Sequence, residues 1–201
     1  MSGEVTKNLR STDFFWVGNR LSVDFVNTTP VLESEPVELL ARPEDLWAWL
    51  TAAGLFTPQQ VHGLGASASA EAFQQARFLR DTLREGFNAM ASGRGFPVGK
   101  VEVLNSFARK PTAQVLAERA GKGWSLRQRW LLEDPGDAVR PIATDALELL
   151  ASAGQVRHCA NPKCVLFFLD TSKSQRRRWC SMAVCGNRAK VAEFRARENR
   201  R

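Results

Sequence analysis

The four cysteines of this chain form two identical pairs, and they are the residues best suited to chemistry. Cys159 and Cys164 enclose four residues, Cys180 and Cys185 enclose four more, and fifteen residues lie between the pairs. Each pair can fold back on itself and bring two sulfur atoms to one ion, at about 2.3 Å for zinc. The spacing therefore predicts a Zn2+ site of four thiolates, with two disulfides or four unrelated buried thiols as alternatives. Disulfides would require an oxidising compartment.

The residues around the cysteines also suit a structural metal site. Asn161 and Pro162 are turn formers inside the first pair, and Gly186 lets the backbone bend sharply near the last ligand. His158 adjoins the first cysteine, but four cysteines already complete a tetrahedral shell. A closed shell leaves no open metal position, and we find no catalytic motif elsewhere in the sequence, so we do not expect an enzyme.

Basic residues are concentrated in the segment that holds the cysteines. The whole chain carries 28 Lys plus Arg against 21 Asp plus Glu, a formal net charge of +7. From residue 155 onward there are 12 basic and three acidic side chains, a net charge of +9. Residues 1–154 carry 16 basic and 18 acidic side chains, a net charge of −2. The two parts are therefore expected to face different partners.

A cationic segment of this kind is typical of proteins that bind nucleic acid. Nine of its 12 basic residues are arginine, whose planar guanidinium suits bidentate contact with phosphate or guanine. Such side chains neutralise phosphates and release counterions. The alternative is a solvated surface that balances the negative charge of the metal cluster. The candidate nucleic-acid-binding residues are Lys173, Arg176, Arg177, Arg178, Asn187, Arg188, Lys190 and Arg195.

Length and composition predict a main domain and a small accessory module. A chain of 201 residues with 44% apolar content suffices for one core of about 150 residues plus a module. We place a front domain at residues 1–154 and a metal-binding module at residues 155–201. Because so short a module has little core of its own, we expect zinc to stabilise it. Removal of the metal should then unfold the module and leave the front domain folded.

Hydrophobic spacing predicts a mainly helical front domain with a small β-hairpin. The segment Leu21–Val26 alternates apolar and polar residues and is predicted as a half-buried strand. Residues 63–69 are rich in Gly, Ala and Ser and are predicted as a loop. Helices are predicted to begin after Arg42 and at Thr57-Pro58, and to span residues 71–90, 98–109 and 137–153. Residues 112–120 and 124–132 are predicted to form the hairpin.

The metal-binding module is predicted to contain a knuckle, a hairpin and a helix in a layout like a treble clef. The whole chain is therefore α+β. Residues 167–169 are predicted as a strand whose apolar face covers the metal. Residues 186–200 are predicted to form a closing helix, with Val191 and Phe194 as its buried stripe.

The predicted closing helix also offers residues for contact with bases. Arg188 and Arg195 are seven residues apart and share one edge, which suits insertion into a major groove. Near the helix start, Asn187 could read an adenine edge and Arg188 a guanine. The alternative is a helix cap and a surface charge.

Three residues of the front domain are candidates for holding a small ligand. Asp24 and Asn27 are polar residues of a predicted strand and the loop after it, and Trp47 lies on a predicted helix where it could line a pocket. The alternatives are that Asp24 and Asn27 cap turns and that Trp47 belongs to the core. A small-molecule effector is thus one expected partner.

The beginning of the sequence favours a cytoplasmic protein. The first residues are polar, and the apolar run at residues 14–17 is far shorter than a signal-peptide core or a membrane span. We therefore expect reduced thiols and no membrane partner.

Several motifs resemble a known family. The run Cys180-Ser-Met-Ala-Val-Cys-Gly-Asn-Arg188, with Cys159-Ala-Asn-Pro-Lys-Cys164, Phe168 to Lys173 and Arg177-Arg-Trp179 upstream, resembles the CGNR zinc finger family. The run Gly18-Asn-Arg-Leu-Ser-Val-Asp-Phe-Val-Asn-Thr28 resembles the start of the ABATE domain, which precedes the finger in that family.

The resemblance implies a bacterial, stress-linked transcription regulator whose zinc-supported finger binds double-stranded DNA. It implies the four cysteines as ligands and the stretch from Arg176 to Arg188 as the DNA surface. Because one finger covers about three base pairs, we expect a homodimer on paired half-sites. The alternatives are an RNA-binding or ribosome-associated zinc protein, and a protein-interaction module whose charge serves solubility.

Overall fold

The computed structural model describes residues 14–32, 34–110, 113–121 and 123–198. Within these ranges the helices are α1 Leu21–Val26, α2 Pro43–Ala52, α3 Pro58–His62, α4 Ala66–Ala91, α5 Val98–Ala108, α6 Arg140–Ala151 and α7 Asn187–Glu198. The strands pair in antiparallel twos: β1 Val31–Leu32 with β2 Glu35–Pro36, β3 Ala113–Ala120 with β4 Gly123–Trp130, and β5 Val156–His158 with β6 Phe167–Leu169. The chain is α+β, as the sequence predicts.

Local signals set where two of the helices begin. Helix α2 starts at Pro43, and α3 starts at Pro58 after Thr57, whose hydroxyl oxygen accepts a hydrogen bond from Gln60 N at 3.3 Å. Proline suits a first helical position because its missing N–H would have no partner there. Both predicted helix starts are confirmed, and so is the hairpin of β3 and β4.

Helix α4 lies at the centre of the hydrophobic core. Ala76, Leu79, Leu83 and Phe87 follow one another at three- and four-residue spacing and are fully buried. They belong to one cluster with side chains of the other helices, among them Phe25, Trp49, Leu104, Ile142 and Leu149. Burial of each Leu or Phe side chain stabilises the folded state by about 1.5–3 kcal/mol relative to leaving it exposed. Among the described residues, no helix combines the length and apolar content that a membrane span requires.

The prediction of a strand at Leu21–Val26 is wrong, because these residues form helix α1. Their alternating polar residues do not face solvent but are buried with partners of their own. Ser22 donates from its backbone N at 2.8 Å and its hydroxyl at 2.6 Å to Asp145 Oδ2. Asp24 is only 8% exposed. Alternation indicates a strand only when the polar residues are solvated, and here tertiary contacts satisfy them.

Two predicted boundaries also differ from the structure. Helix α4 begins at Ala66, inside the predicted loop at residues 63–69, since Ala and Ser are compatible with a helix when the following turns are buried. The helix predicted from residue 137 begins at Arg140, after a short 3-10 turn at Pro135–Ala138.

The cysteine-bearing segment has the predicted layout of knuckle, hairpin and helix. Strands β5 and β6 pair with Val156 opposite Leu169 and His158 opposite Phe167. The first cysteine pair lies in the connection between them. A single wide turn at Met182–Gly186 carries the last cysteine into α7.

Helix α7 does not pack as predicted. Val191 is 49% exposed and Phe194 is 62% exposed, so the expected buried stripe is wrong. No described residue of α7 is buried. The spacing of these two residues is typical of an amphipathic helix, but in the described structure no other element covers them.

Residues 14–19, here called the connecting segment, join the front domain to the metal-binding module. Phe15 and Val17 pack against the cysteine-bearing cluster. Phe14 packs against the main core, and the ring of Trp16 stacks on Trp49 with centroids 5.5 Å apart. Successive side chains therefore touch the two parts of the molecule in turn.

Hydrogen bonds and shared packing hold the same junction. Leu169 N donates to Gly18 O at 2.8 Å, and Asn19 Nδ2 donates to Leu169 O at 3.2 Å. Val156 and Phe167 of the module belong to the core of the front domain. The boundary after residue 154 stays a prediction, but we now expect loss of the metal to disturb the front core as well.

Candidate metal centre and nucleic-acid interface

The four cysteines converge on one point, as their spacing predicts. Their sulfur atoms all lie within 4.8 Å of one another. Cys164 Sγ is 3.8 Å from Cys180 Sγ, which is 3.6 Å from Cys185 Sγ. A tetrahedron with metal–sulfur distances of about 2.3 Å has edges of about 3.8 Å. Since a disulfide needs about 2.05 Å and all four thiols are free, the arrangement fits Zn2+ and excludes paired disulfides.

The first pair is shaped by a turn at Asn161. Its side-chain Oδ1 accepts a hydrogen bond from Lys163 N at 3.1 Å, and its carbonyl accepts one from Cys164 N at 2.9 Å. Its Nδ2 also donates to Cys185 Sγ at 3.5 Å. The turn former predicted from sequence thus links the first pair to the second.

The second pair lies at the start of α7. Cys180 N donates to Cys159 Sγ at 3.4 Å, and Cys185 lies two residues before the helix begins. Cys185 therefore lies near the positive end of the helix dipole. A Cβ on Gly186 would lie 2.5 Å from Met182 Sδ and 3.1 Å from Trp179 Cδ1, so glycine is needed for close packing.

The electrostatics of the thiols call for a cation. Hydrogen bonds from Cys164 and Cys180 hold the pKa of the Cys159 thiol well below its usual value. Hydrogen bonding to Cys159 raises the pKa of the thiols of Cys164 and Cys180. A thiolate at Cys159 thus disfavours ionisation of Cys164 and Cys180, and a bound divalent cation would offset this repulsion. Four soft thiolates in a tetrahedral set are the donors that zinc prefers.

Arg177 is turned into the protein rather than toward solvent. Its Nε donates to Trp179 O at 2.9 Å, its Nη2 donates to Val17 O at 3.0 Å and also to Cys180 O, and its guanidinium lies 4.4 Å from the centroid of the Phe168 ring. Arg177 therefore ties the metal site to the connecting segment. Sequence reasoning grouped it with its neighbours because nothing in a run of arginines indicates which one turns inward.

The residues on either side of Arg177 are exposed. Arg176 and Lys173 face solvent, and the exposed Arg178 holds its guanidinium 4.9 Å from the centroid of the Trp179 ring. These arginines, with Ser172, Ser174 and Met182, line an open cavity of about 530 Å³. The cavity is a cationic recess beside the metal site and suits an oxyanion such as phosphate.

Helix α7 carries the remaining predicted contacts. Arg188, Lys190 and Arg195 are exposed. Asn187 is exposed as well, and its Nδ2 donates to Ala183 O at 3.1 Å, which fits the alternative of a local structural role. The cations of α7 and those beside Arg177 lie on the same small module.

The three candidate ligand-binding residues of the front domain have structural partners. Asp24 Oδ1 accepts from Val17 N at 2.9 Å and Gly18 N at 2.7 Å, and burial raises its pKa to about 6. Asn27 exchanges two hydrogen bonds with the backbone of Phe167. Trp47 Nε1 donates to Ser69 Oγ at 2.6 Å. The contacts of Asp24 and Trp47 agree with the alternatives of capping and core packing. The side chain of Asn27 caps no turn and instead pairs with a distant strand, a role that the sequence does not predict.

Sequence reasoning missed the connecting segment and its partners. One signal in the sequence is the pair Gly18-Asn19, two residue types that favour turns, and in the structure Asn19 has a positive φ of 62°. That signal predicts a turn, but it does not identify the distant strand that the turn contacts.

Comparison with known families identifies both parts of the chain. The family model ABATE, described as "Putative stress-induced transcription regulator", matches residues 19–153, more than half of the chain. The model of the CGNR zinc finger matches residues 155–198. No curated protein matches this sequence.

Proposed function

Because this chain belongs to the ABATE family and carries a CGNR zinc finger, we propose that it is a transcription regulator that binds duplex DNA through its zinc-supported finger. The observation that carries the proposal is the exposed cationic surface built around the four-cysteine site. Lys173, Arg176, Arg178, Arg188, Lys190 and Arg195 are all exposed. Their charge would attract phosphates and release counterions.

Helix α7 favours DNA over RNA as the partner. An α-helix with its side chains is about 10–12 Å wide, and the major groove of B-DNA is about 12 Å wide. The major groove of an RNA duplex is too narrow for side chains to read. Since no described residue of α7 is buried, the helix can enter a groove without rearrangement of the finger.

The proposed regulator acts as a homodimer. One finger covers about three base pairs, which gives little specificity, so a second copy on a paired half-site would be needed. The front domain is the natural place for contacts between copies, because the finger surface is taken up by DNA.

We place the effector site of this regulator at the junction of its two parts. An open cavity of about 390 Å³ lies between the end of α4 and strand β5, and its lining includes Met90, Gly93, Gln155, Val156 and Arg157. A ligand there would touch the front domain and the finger together, and could bias the position of one against the other.

We further propose that the protein acts in the cytoplasm, where thiols stay reduced, and has no catalytic role.

The test is a binding selection on random duplex DNA with the zinc-loaded protein and structured RNA as competitor. We expect a defined DNA motif, lost on chelation, and an affinity that falls with salt at a slope of roughly −0.9 per neutralised phosphate. Arg178→Ala should weaken binding, whereas Arg94→Ala, an exposed arginine of the front domain, should not. Recovery of RNA alone, or equal effects of the two variants, would contradict the proposal.

A further inference from the structure

Helix α7 exposes an apolar stripe that its own fold leaves uncovered. Val191 is 49% exposed and Phe194 is 62% exposed, and residues three apart share a helix face. Exposed residues of this size are ordinary when scattered, but here they stand together on a helix that already carries the charges proposed to bind DNA. The stripe therefore needs an explanation in terms of its partner.

Cations border the stripe on both sides. At 3.6 residues per turn, Arg188 and Arg195 lie along one edge of the Val191 and Phe194 face. Lys190 and Arg197 lie along the other edge, and Arg197 forms an ion pair with Glu193. The face thus has an apolar centre between two positive margins, with Asn187 at its start and Glu198, seven residues after Val191, at its end.

This pattern of charge decides what can cover the stripe. A second α7 packed on it would bring the positive margins of both copies together, which is unfavourable. The complementary partner is a polyanion that also presents apolar groups between two rows of negative charge. The major groove of DNA has this form, because phosphates border it and the C5-methyl group of thymine projects into it.

We propose that α7 lies in the major groove with Val191 and Phe194 against thymine methyl groups, while its two cationic edges face the phosphate backbones. This inference rests on the proposed DNA binding and adds its base preference: the half-site contains thymines under the centre of α7. The apolar stripe reads the methyl groups, and the flanking arginines position the helix.

The test removes only the methyl groups. Uracil pairs as thymine does but lacks the C5-methyl group. The duplex recovered in the binding selection is therefore prepared with uracil in place of thymine inside the protected site, which is the stretch of DNA that the bound protein shields from nuclease digestion. Loss of each buried methyl should weaken binding by the zinc-loaded full chain about fourfold. The matched control duplex carries uracil only outside the protected site and should bind with unchanged affinity.

A variant locates the contact on α7. Phe194→Ala should bind the thymine duplex more weakly and should lose most of the difference between thymine and uracil. Phe78→Ala, at a front-domain phenylalanine that is 57% exposed, should keep both the affinity and the difference. Because Phe194 is exposed, its replacement should leave the fold and the zinc content unchanged.

The outcomes separate this inference from the proposed function. Equal affinity for thymine and uracil duplexes, with binding that still depends on Arg178, would overturn the methyl contact and leave DNA binding standing. Absence of any duplex binding that depends on Arg178 would overturn both. Binding to anionic phospholipid vesicles that Phe194→Ala abolishes, together with indifference to uracil, would assign the stripe to a membrane surface and also overturn the inference.

Discussion

The side chain of Asn27 pairs with the backbone of Phe167 across 140 positions of sequence. Asn27 Nδ2 donates to Phe167 O at 2.9 Å, and Phe167 N donates to Asn27 Oδ1 at 2.8 Å. The amide group thus takes the place of a neighbouring strand and satisfies both backbone groups of a buried residue of β6. These two hydrogen bonds hold the finger against the front domain, because one partner lies in each part of the chain.

Replacement of Asn27 by Ala should therefore destabilise the whole protein. It would leave a buried N–H and a buried carbonyl of Phe167 without partners, at a cost of about 2–4 kcal/mol in the free energy of unfolding. The measurement is denaturant unfolding of the zinc-loaded protein. Asn105→Ala, on the exposed face of α5, is the control and should change stability by no more than about 0.5 kcal/mol. A loss for Asn27→Ala no larger than that of the control would contradict the role given to this pair.

Replacement of Cys180 by Ser should remove the zinc. Three thiolates cannot close the tetrahedral shell, and metal binding is coupled to folding of such modules. We expect less than one zinc per chain by elemental analysis and a lower free energy of unfolding. Ser174→Ala, an exposed residue of the same module, should keep one zinc per chain. A full zinc complement in the Cys180→Ser protein would refute the four-thiolate site.

The adjacent residues Arg177 and Arg178 should respond to substitution in opposite ways. Arg177→Ala removes hydrogen bonds to three carbonyl groups and should lower the free energy of unfolding by about 2–4 kcal/mol, since hydrogen bonds to charged groups are the stronger ones. Arg178→Ala should leave stability within about 0.5 kcal/mol of the parent. It should instead weaken DNA binding and reduce the salt slope by about 1.

Unfolding by denaturant and a salt titration of DNA binding, carried out on both variants, provide the check. If Arg177→Ala were as stable as the parent and only its DNA affinity fell, Arg177 would be a contact residue as first predicted from the sequence. If Arg178→Ala unfolded easily, the assignment of the two roles would be reversed.

Asp24 should make stability depend on pH. Burial raises the pKa of its carboxyl from 3.8 to about 6, so between these values the folded chain binds more protons than the unfolded chain. The contribution of Asp24 to the free energy of unfolding is most favourable at low pH and is lost as pH rises through 6. The total change in the free energy of unfolding is up to about 3 kcal/mol. Asp24→Asn keeps an oxygen that can accept from Val17 N and Gly18 N and cannot ionise.

We therefore expect Asp24→Asn to be more stable than the parent at pH 7.5 and to lose that advantage at pH 4.5. The measurement is the difference in free energy of unfolding between the two proteins at each pH, in which the effect of acid on the thiolates cancels. A difference that stays constant across this range would show that the ionisation of Asp24 is not coupled to folding.

The sequence by itself determined the features that depend on neighbouring residues. The two cysteine pairs predicted the metal site because each pair closes through its own short turn, as at Asn161. Thr57 and Pro58 set a helix start because capping needs only residues within one turn. The concentration of positive charge in the finger is likewise a property of the sequence alone.

Only the tertiary structure decided the features that depend on distant partners. The sequence predicts a strand where helix α1 forms, because the partner of Ser22, Asp145, lies far along the chain. Arg177 turns inward because Val17 offers it a carbonyl, and Val191 and Phe194 stay exposed because no described element reaches them. Burial and long-range hydrogen bonds follow from how elements meet in space, which the spacing of residues along the chain does not contain.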